Sequence, residues 1–315
     1  MTKVAVVGAG LIGRAWAISF ARAGHEVAIT DADASAAEKA LSFIEEALKD
    51  LQRFDLLNGA TPKEVRGRLR AARGLEDALE GAIHVQENAP ERIEVKQTLY
   101  AELDRIARPD AVLASSTSAL LPSAFTEALE GRARCLVAHP INPPYLVPAV
   151  EIVPAPWTDP AVVERTVAFM RAAGQAPFIM TREIDGFVVN RLQGALLQEA
   201  FRLVAEGYAS CEDVDIALRE GLALRWSFMG PFETIDLNAP GGAADYIKRY
   251  SGLYDGLFES QQRRADWQGP VMGEIERQRR ERVKTEDLEG RQAWRDRRLM
   301  ALAAHKRAAA KDIGN

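Results

Sequence analysis

Through roughly the first 180 residues, short β-branched runs alternate with longer stretches in which apolar side chains recur every three or four positions. The runs predict strands at Lys3–Val7, Glu26–Thr30, Ala82–Gln86, Ala111–Ala114, Arg134–Ala138, Val150–Val153 and Pro177–Met180. Between them, Ile12, Ala15, Trp16 and Phe20 share one helical face, as do Ala40, Ile44, Ala47, Leu48 and Leu51. Strands alternating with helices in this way describe a doubly wound, mostly parallel α/β sheet. Ser35 with Glu38, and Asn88 with Glu91, stand at capping-box spacing and predict helix starts just after the second and third strands. From Phe187 the strand signals stop, and Val188, Leu192, Ala195, Leu196, Leu203 and Val204 open a helical pattern that continues, with turns, towards the end. A boundary near Ile184–Gly186 follows, with an α/β domain over 1–185 and an all-helical domain over 186–315. In the last stretch, rich in Arg, Glu and Gln, Trp294, Leu299 and Leu302 predict a helix with a narrow apolar stripe, docked on its own domain or on a partner subunit.

Composition agrees with two domains, since 315 residues exceed one ordinary core of about 100–150. With 47% hydrophobic and 27% charged residues the chain reads as globular, not disordered. A net charge of -5 offers no field to hold a polyanion, which argues against nucleic acid as a partner. No apolar run approaches the roughly 18–20 residues of a membrane span, and no export signal precedes Val4. Cys135 and Cys211 form neither a disulfide framework nor a zinc site, so a cytoplasmic location without a bound metal is expected. The basic stretch Lys63, Arg66, Arg68, Arg70 and Arg73 places Arg66, Arg70 and Arg73 on one helical face, expected to be solvated surface.

Candidate chemistry begins at Gly8-Ala9-Gly10-Leu11-Ile12-Gly13, a G-x-G-x-x-G run directly after a strand and opening a helix. There the glycines permit a tight turn and close backbone approach to a pyrophosphate, and the N–H groups of the first helical turn favour an anion. Gly8, Gly10, Leu11, Ile12 and Gly13 are therefore the expected cradle of a dinucleotide in a Rossmann-type domain. Asp31 ends the second strand, where its carboxylate suits ribose hydroxyls and repels a 2′-phosphate; NAD is expected over NADP. Of the four histidines, His139 follows the apolar Cys135–Ala138 run at the carboxyl edge of the sheet and enters the stiff Pro140-Ile141-Asn142-Pro143-Pro144. Glu151 follows on the next apolar run, where a carboxylate is costly unless paired. Together they form a candidate acid/base pair.

At this point the sequence resembles the 3-hydroxyacyl-CoA dehydrogenase family, most closely its lambda-crystallin or L-gulonate 3-dehydrogenase branch. The resemblance covers the whole chain and is carried by Gly8–Gly13, Glu87-Asn88-Ala89-Pro90-Glu91 with Lys96, Ser115-Ser116-Thr117-Ser118, His139 to Tyr145, Glu151, Gly186-Phe187-Val188-Val189-Asn190-Arg191 and Gly230-Pro231-Phe232-Glu233. It implies that His139 is the general base towards a substrate hydroxyl, polarised by Glu151, while hydride passes to NAD. It further implies that Ser118 and Asn190 hydrogen-bond the reacting oxygen, that Asn142 orders the pocket, and that Glu91 and Lys96 contact the nicotinamide-side ribose. Pairing of the helical domains into a homodimer is also implied. The lead-in Glu220 to Met229, with Leu224-Arg225-Trp226, departs from the acyl-CoA enzymes and resembles the gulonate and carnitine branches. An arginine suits a planar carboxylate. Arg225 is thus expected to bind the carboxylate of a small free 3-hydroxy acid, L-gulonate foremost. A 3-hydroxyacyl-CoA dehydrogenase and a non-catalytic, NAD-binding crystallin are the alternatives.

Overall fold

The structure, a computed structural model, describes residues 2–314. It divides into two compact units: the described residues up to Asn190 together with Asp296–Ala304, and Arg191–Arg295 together with the described residues from His305 on.

The first unit is built on eight strands: β1 (Lys3–Val7), β2 (Glu26–Thr30), β3 (Leu69–Ala71), β4 (His84–Glu87), β5 (Val112–Ser115), β6 (Cys135–Pro140), β7 (Ala149–Pro154) and β8 (Ala176–Ile179). They form one sheet in the order β3-β2-β1-β4-β5-β6-β7-β8, every neighbouring pair parallel except β6 with β7. The winding reverses between β1 and β4, and at such a switch point the crossovers leave in opposite directions and open a crevice at the carboxyl edge. Both faces are covered. Val4, Val6 and Ile29 bury against Trp16, Phe20, Ile44 and Leu48, while Ala5, Val7 and Val85 bury against Tyr100, Leu103 and Phe125. Successive strand residues alternate between faces, so apolar side chains at every position of Val4–Val7 require a sheet buried on both sides.

Several local expectations are corrected. Ser35 does not cap the second helix: it begins at Ala34, and Asp33 accepts from the Ser35 amide at 2.9 Å. Nor does Asn88 cap. Its side-chain amide donates to the carbonyls of Gln86 (2.8 Å) and Val7 (3.2 Å), and the helix begins only at Ile93. The basic stretch is no continuous helix, because Pro62–Gly67 ends before β3, whose three residues are too few for an alternating pattern to register. Arg66 pairs with Glu45 at 2.7 Å, whereas Arg70 pairs with Asp77 at 2.9 Å.

The second unit holds no strand among its described residues. Its helices include Cys211–Ile216, a π-helical turn Ala217–Leu222, Ala223–Trp226, Pro231–Leu237, Gly242–Gln261 and Pro270–Arg282. The last helix, Leu288–Ile313, buries a different stripe from the expected one: Met300 joins the first unit's core with Leu299, Ala303 and Ala304 against it, whereas Trp294 and Leu302 stay exposed. Among the described residues no helix is long and apolar enough to cross a membrane.

Candidate active site

At the switch point β1 runs into the glycine turn and the helix Leu11–Arg22. Gly8 has φ +93°, and a Cβ there would lie 2.7 Å from the carbonyl oxygen of Asn88. At Gly13 a Cβ would overlap the carbonyl oxygen of Gly8, so this glycine lets helix and turn touch. Gly10 is different: a Cβ there would meet nothing within 4 Å. The helix N-terminus carries no side-chain cap and no acidic residue in its first turn. Open space at Gly10 and uncapped N–H groups on Leu11, Ile12 and Gly13 fit a dinucleotide pyrophosphate. Asp31, at the end of β2, accepts from the Ala9 amide at 2.6 Å and the Asp33 amide at 3.0 Å. It braces the turn and sets a negative charge beside it, which suits NAD and disfavours a 2′-phosphate.

The antiparallel register of β6 and β7 sets His139 directly opposite Glu151. Opposed residues on such a ladder point to the same face, and here His139 Nδ1 and Glu151 Oε2 lie 2.6 Å apart, both side chains buried. The carboxylate's other oxygen accepts from the amides of Val188 (2.8 Å) and Val189 (3.0 Å). Gly186 (φ +76°) and Phe187 (φ +50°) turn the chain through the left-handed region to aim those amides. Phe187, fully buried, also packs on the imidazole at 5.6 Å between ring centroids. Burial by itself would raise the pKa of the Glu151 carboxyl; the His139, Val189 and Val188 hydrogen bonds and the charge of an imidazolium outweigh it and hold the group below its ordinary value. An ionised Glu151 makes His139 Nδ1 the donor and leaves the lone pair on Nε2.

The loops after β4 and β5 carry the next group. Glu91 Oε1 accepts from the Thr117 hydroxyl and from the amides of Ser118 (2.9 Å) and Ala119 (3.0 Å). Asn190 Nδ2 donates to the Ser118 carbonyl at 2.6 Å, so these two residues are brought together, with Ser118 exposed. Asn142 is exposed in the loop joining β6 and β7. Lys96, 1% exposed, gives its ammonium to both oxygens of the buried Glu87 at 3.0 Å, with Glu91 Oε2 3.8 Å away. Arg225 is exposed on the helix Ala223–Trp226 of the second unit, its charge felt by Tyr246. Sequence reasoning placed Glu87, Thr117 and Phe187 in the motifs that carry the resemblance and gave none of them a role.

A doubly wound sheet with a glycine-opened, uncapped helix at its switch point is the architecture of an NAD-binding domain, and the chain is an NAD-dependent dehydrogenase. More narrowly, the chain belongs to the 3-hydroxyacyl-CoA dehydrogenase family: residues 3–184 match the family's NAD binding domain and 186–281 its C-terminal domain. A lambda-crystallin homolog of Bos taurus is 44% identical over 306 residues, covering 96% of this chain and 95% of its own. An L-carnitine dehydrogenase of Streptomyces coelicolor is 39% identical over 249 residues, covering 79% and 77%. Among solved structures, that of 5-formyl-3-hydroxy-2-methylpyridine 4-carboxylic acid 5-dehydrogenase, an NAD+ dependent dismutase, superposes with TM-score 0.82 at 27% identity over 96% of this chain and 97% of that one.

Proposed function

We propose that the chain oxidises the 3-hydroxyl of a small free hydroxy acid, L-gulonate-like, to the 3-keto acid. The observation that carries this reading is the buried 2.6 Å contact between His139 and Glu151 on neighbouring strands. With Nδ1–H held by the carboxylate, Nε2 accepts the proton of the substrate hydroxyl, and Glu151 stabilises the imidazolium that results. Bound NAD supplies the hydride acceptor. Ser118 and Asn190 hydrogen-bond the reacting oxygen; the Asn190 amide, holding the Ser118 carbonyl with one N–H, has a second to offer. Asn142 orders the pocket, Glu91 and Lys96 serve the nicotinamide-side ribose, and Arg225 takes the substrate carboxylate. Oxidation needs the unprotonated ring as proton acceptor, and reduction the protonated ring as donor.

A free acid is favoured over a CoA thioester because of Arg225 and because one relative is named for L-carnitine, itself a 3-hydroxy acid without CoA. The deciding assay offers L-gulonate, carnitine, 3-hydroxybutyrate and 3-hydroxybutyryl-CoA with NAD and with NADP. NADH formation with a free acid is expected, and a clear preference for the thioester would sink the assignment. Arg225→Ala should raise KM for the free acid about tenfold or more at little cost in kcat, the pattern of a lost binding contact. An unchanged KM would remove Arg225 from the site.

A further inference from the structure

We propose that Glu87 is a positioning residue that holds the nicotinamide-side rim of the cofactor crevice, acting through Lys96 and Glu91. Glu87 ends β4, and both it and Lys96 are buried. Its carboxylate takes the Lys96 ammonium at 3.0 Å on each oxygen, the Ala89 amide at 2.5 Å and the Ser115 hydroxyl at 2.5 Å. Ser115 Oγ in turn accepts the Thr117 amide at 3.2 Å, and Lys96 also donates to the Ala89 carbonyl at 3.4 Å. One carboxylate thereby ties the loop after β4 to the loop after β5. Glu91 repeats the tie nearer the surface, one oxygen on Thr117, Ser118 and Ala119 and the other 3.8 Å from Lys96.

The ammonium therefore stands between two carboxylates, one buried and one at the rim. Buried ion pairs are poor sources of stability compared with apolar side chains of similar volume, so what this one supplies is orientation. The hydrogen bonds of the array join the carboxyl ends of β4 and β5, the loops that follow them and Lys96 on the helix Ile93–Ile106, all at the carboxyl edge that flanks the crevice. If Glu87 loses its charge, Lys96 keeps only Glu91 as a counter-ion. Glu91 is then drawn off the Ser118 and Ala119 amides, and the rim loosens.

This inference rests on the proposed roles of Glu91 and Ser118. Its test is Glu87→Gln in the full chain, read by NADH titration, by kcat, and by deuterium uptake of the peptide covering residues 117–121. Expected are an NADH Kd raised about fivefold or more, kcat lowered about tenfold, and faster exchange confined to residues 117–121. A folded variant whose NADH Kd or local uptake stays within about twofold of the parent, or whose exchange rises throughout the sheet, overturns the proposal. Should Glu87→Gln fail to fold, Ser115→Ala decides, because it cuts the link to the second loop without altering charge. There weaker NADH binding with faster local exchange supports the proposal, and parent-like values of either overturn it. Neither NADH binding nor exchange requires a substrate, so an error in the substrate assignment shows separately, as a parent that binds NADH normally and oxidises no hydroxy acid.

Discussion

Two imidazoles are buried in the same sheet and are held in opposite ways. His139 has a carboxylate on Nδ1, whereas His84, in β4, has the Gln86 side-chain oxygen at 3.0 Å, a stack with Phe169 at 4.3 Å and the edge of Phe20 at 5.8 Å. Burial drives the His84 pKa down to about 4. The unfolded chain then binds a proton that the folded one refuses, so stability is full above pH 6.5 and declines as pH falls towards 4, by about 3 kcal/mol in all. Chemical denaturation at pH 7 and pH 4.5 should show this loss, and His84→Phe should flatten it. His139→Gln is expected to lower kcat about a hundredfold or more with NADH affinity kept; loss of both together would mean that the ring only supports the fold. His139 and Glu151 were legible as a pair because each interrupts an apolar run on one side of a single short loop. Glu87 was not. A glutamate ending a strand looks like any other until the next helix brings Lys96 to it.

At the scale of elements, the glycine turn separates space for a ligand from space for the fold. Gly13→Ala should destabilise the chain by about 2 kcal/mol or more, since the added methyl overlaps the Gly8 carbonyl. Gly10→Ala should leave stability within about 0.5 kcal/mol and weaken NADH binding, because only a bound dinucleotide would meet the methyl. Thermal melting beside an NADH titration separates the two, and equal loss of stability in both variants would remove Gly10 from the cradle. Elements with strong periodicity were readable: β1 and β2 fall where their patterns placed them. The helix caps were not, because Asp33 and Ser35 offer equivalent oxygens and the choice depends on which residue the chain leaves outside the first turn.

Across the whole molecule, side chains far apart in sequence share cores. Met300 is 2% exposed in a cluster with Trp16, Phe20 and Ile44, so Met300→Ala should cost about 2 kcal/mol or more of the first unit's stability. An unchanged denaturation midpoint would show that the helix is dispensable there. In the second unit the helices Cys211–Ile216 and Gly242–Gln261 contribute no buried residue, while Phe232 is 83% exposed and Leu253 62%. We propose that the chain is a homodimer in solution, in which a second copy would cover this apolar surface. Light scattering at micromolar concentration should return twice the chain mass, and the mass of one chain would rule the dimer out.

By itself the sequence determined the alternation of strands and helices, the glycine turn after β1 and the His139–Glu151 pair, because each is written in local periodicity or within one hairpin. The tertiary structure alone decided that Lys96 spends its charge on Glu87, that Phe187 and the amides beyond it seat Glu151, and that Met300 belongs to the dinucleotide-binding core. Those contacts join residues from different elements, and which of many equivalent side chains meet is set by how strands and helices pack, which local pattern does not encode.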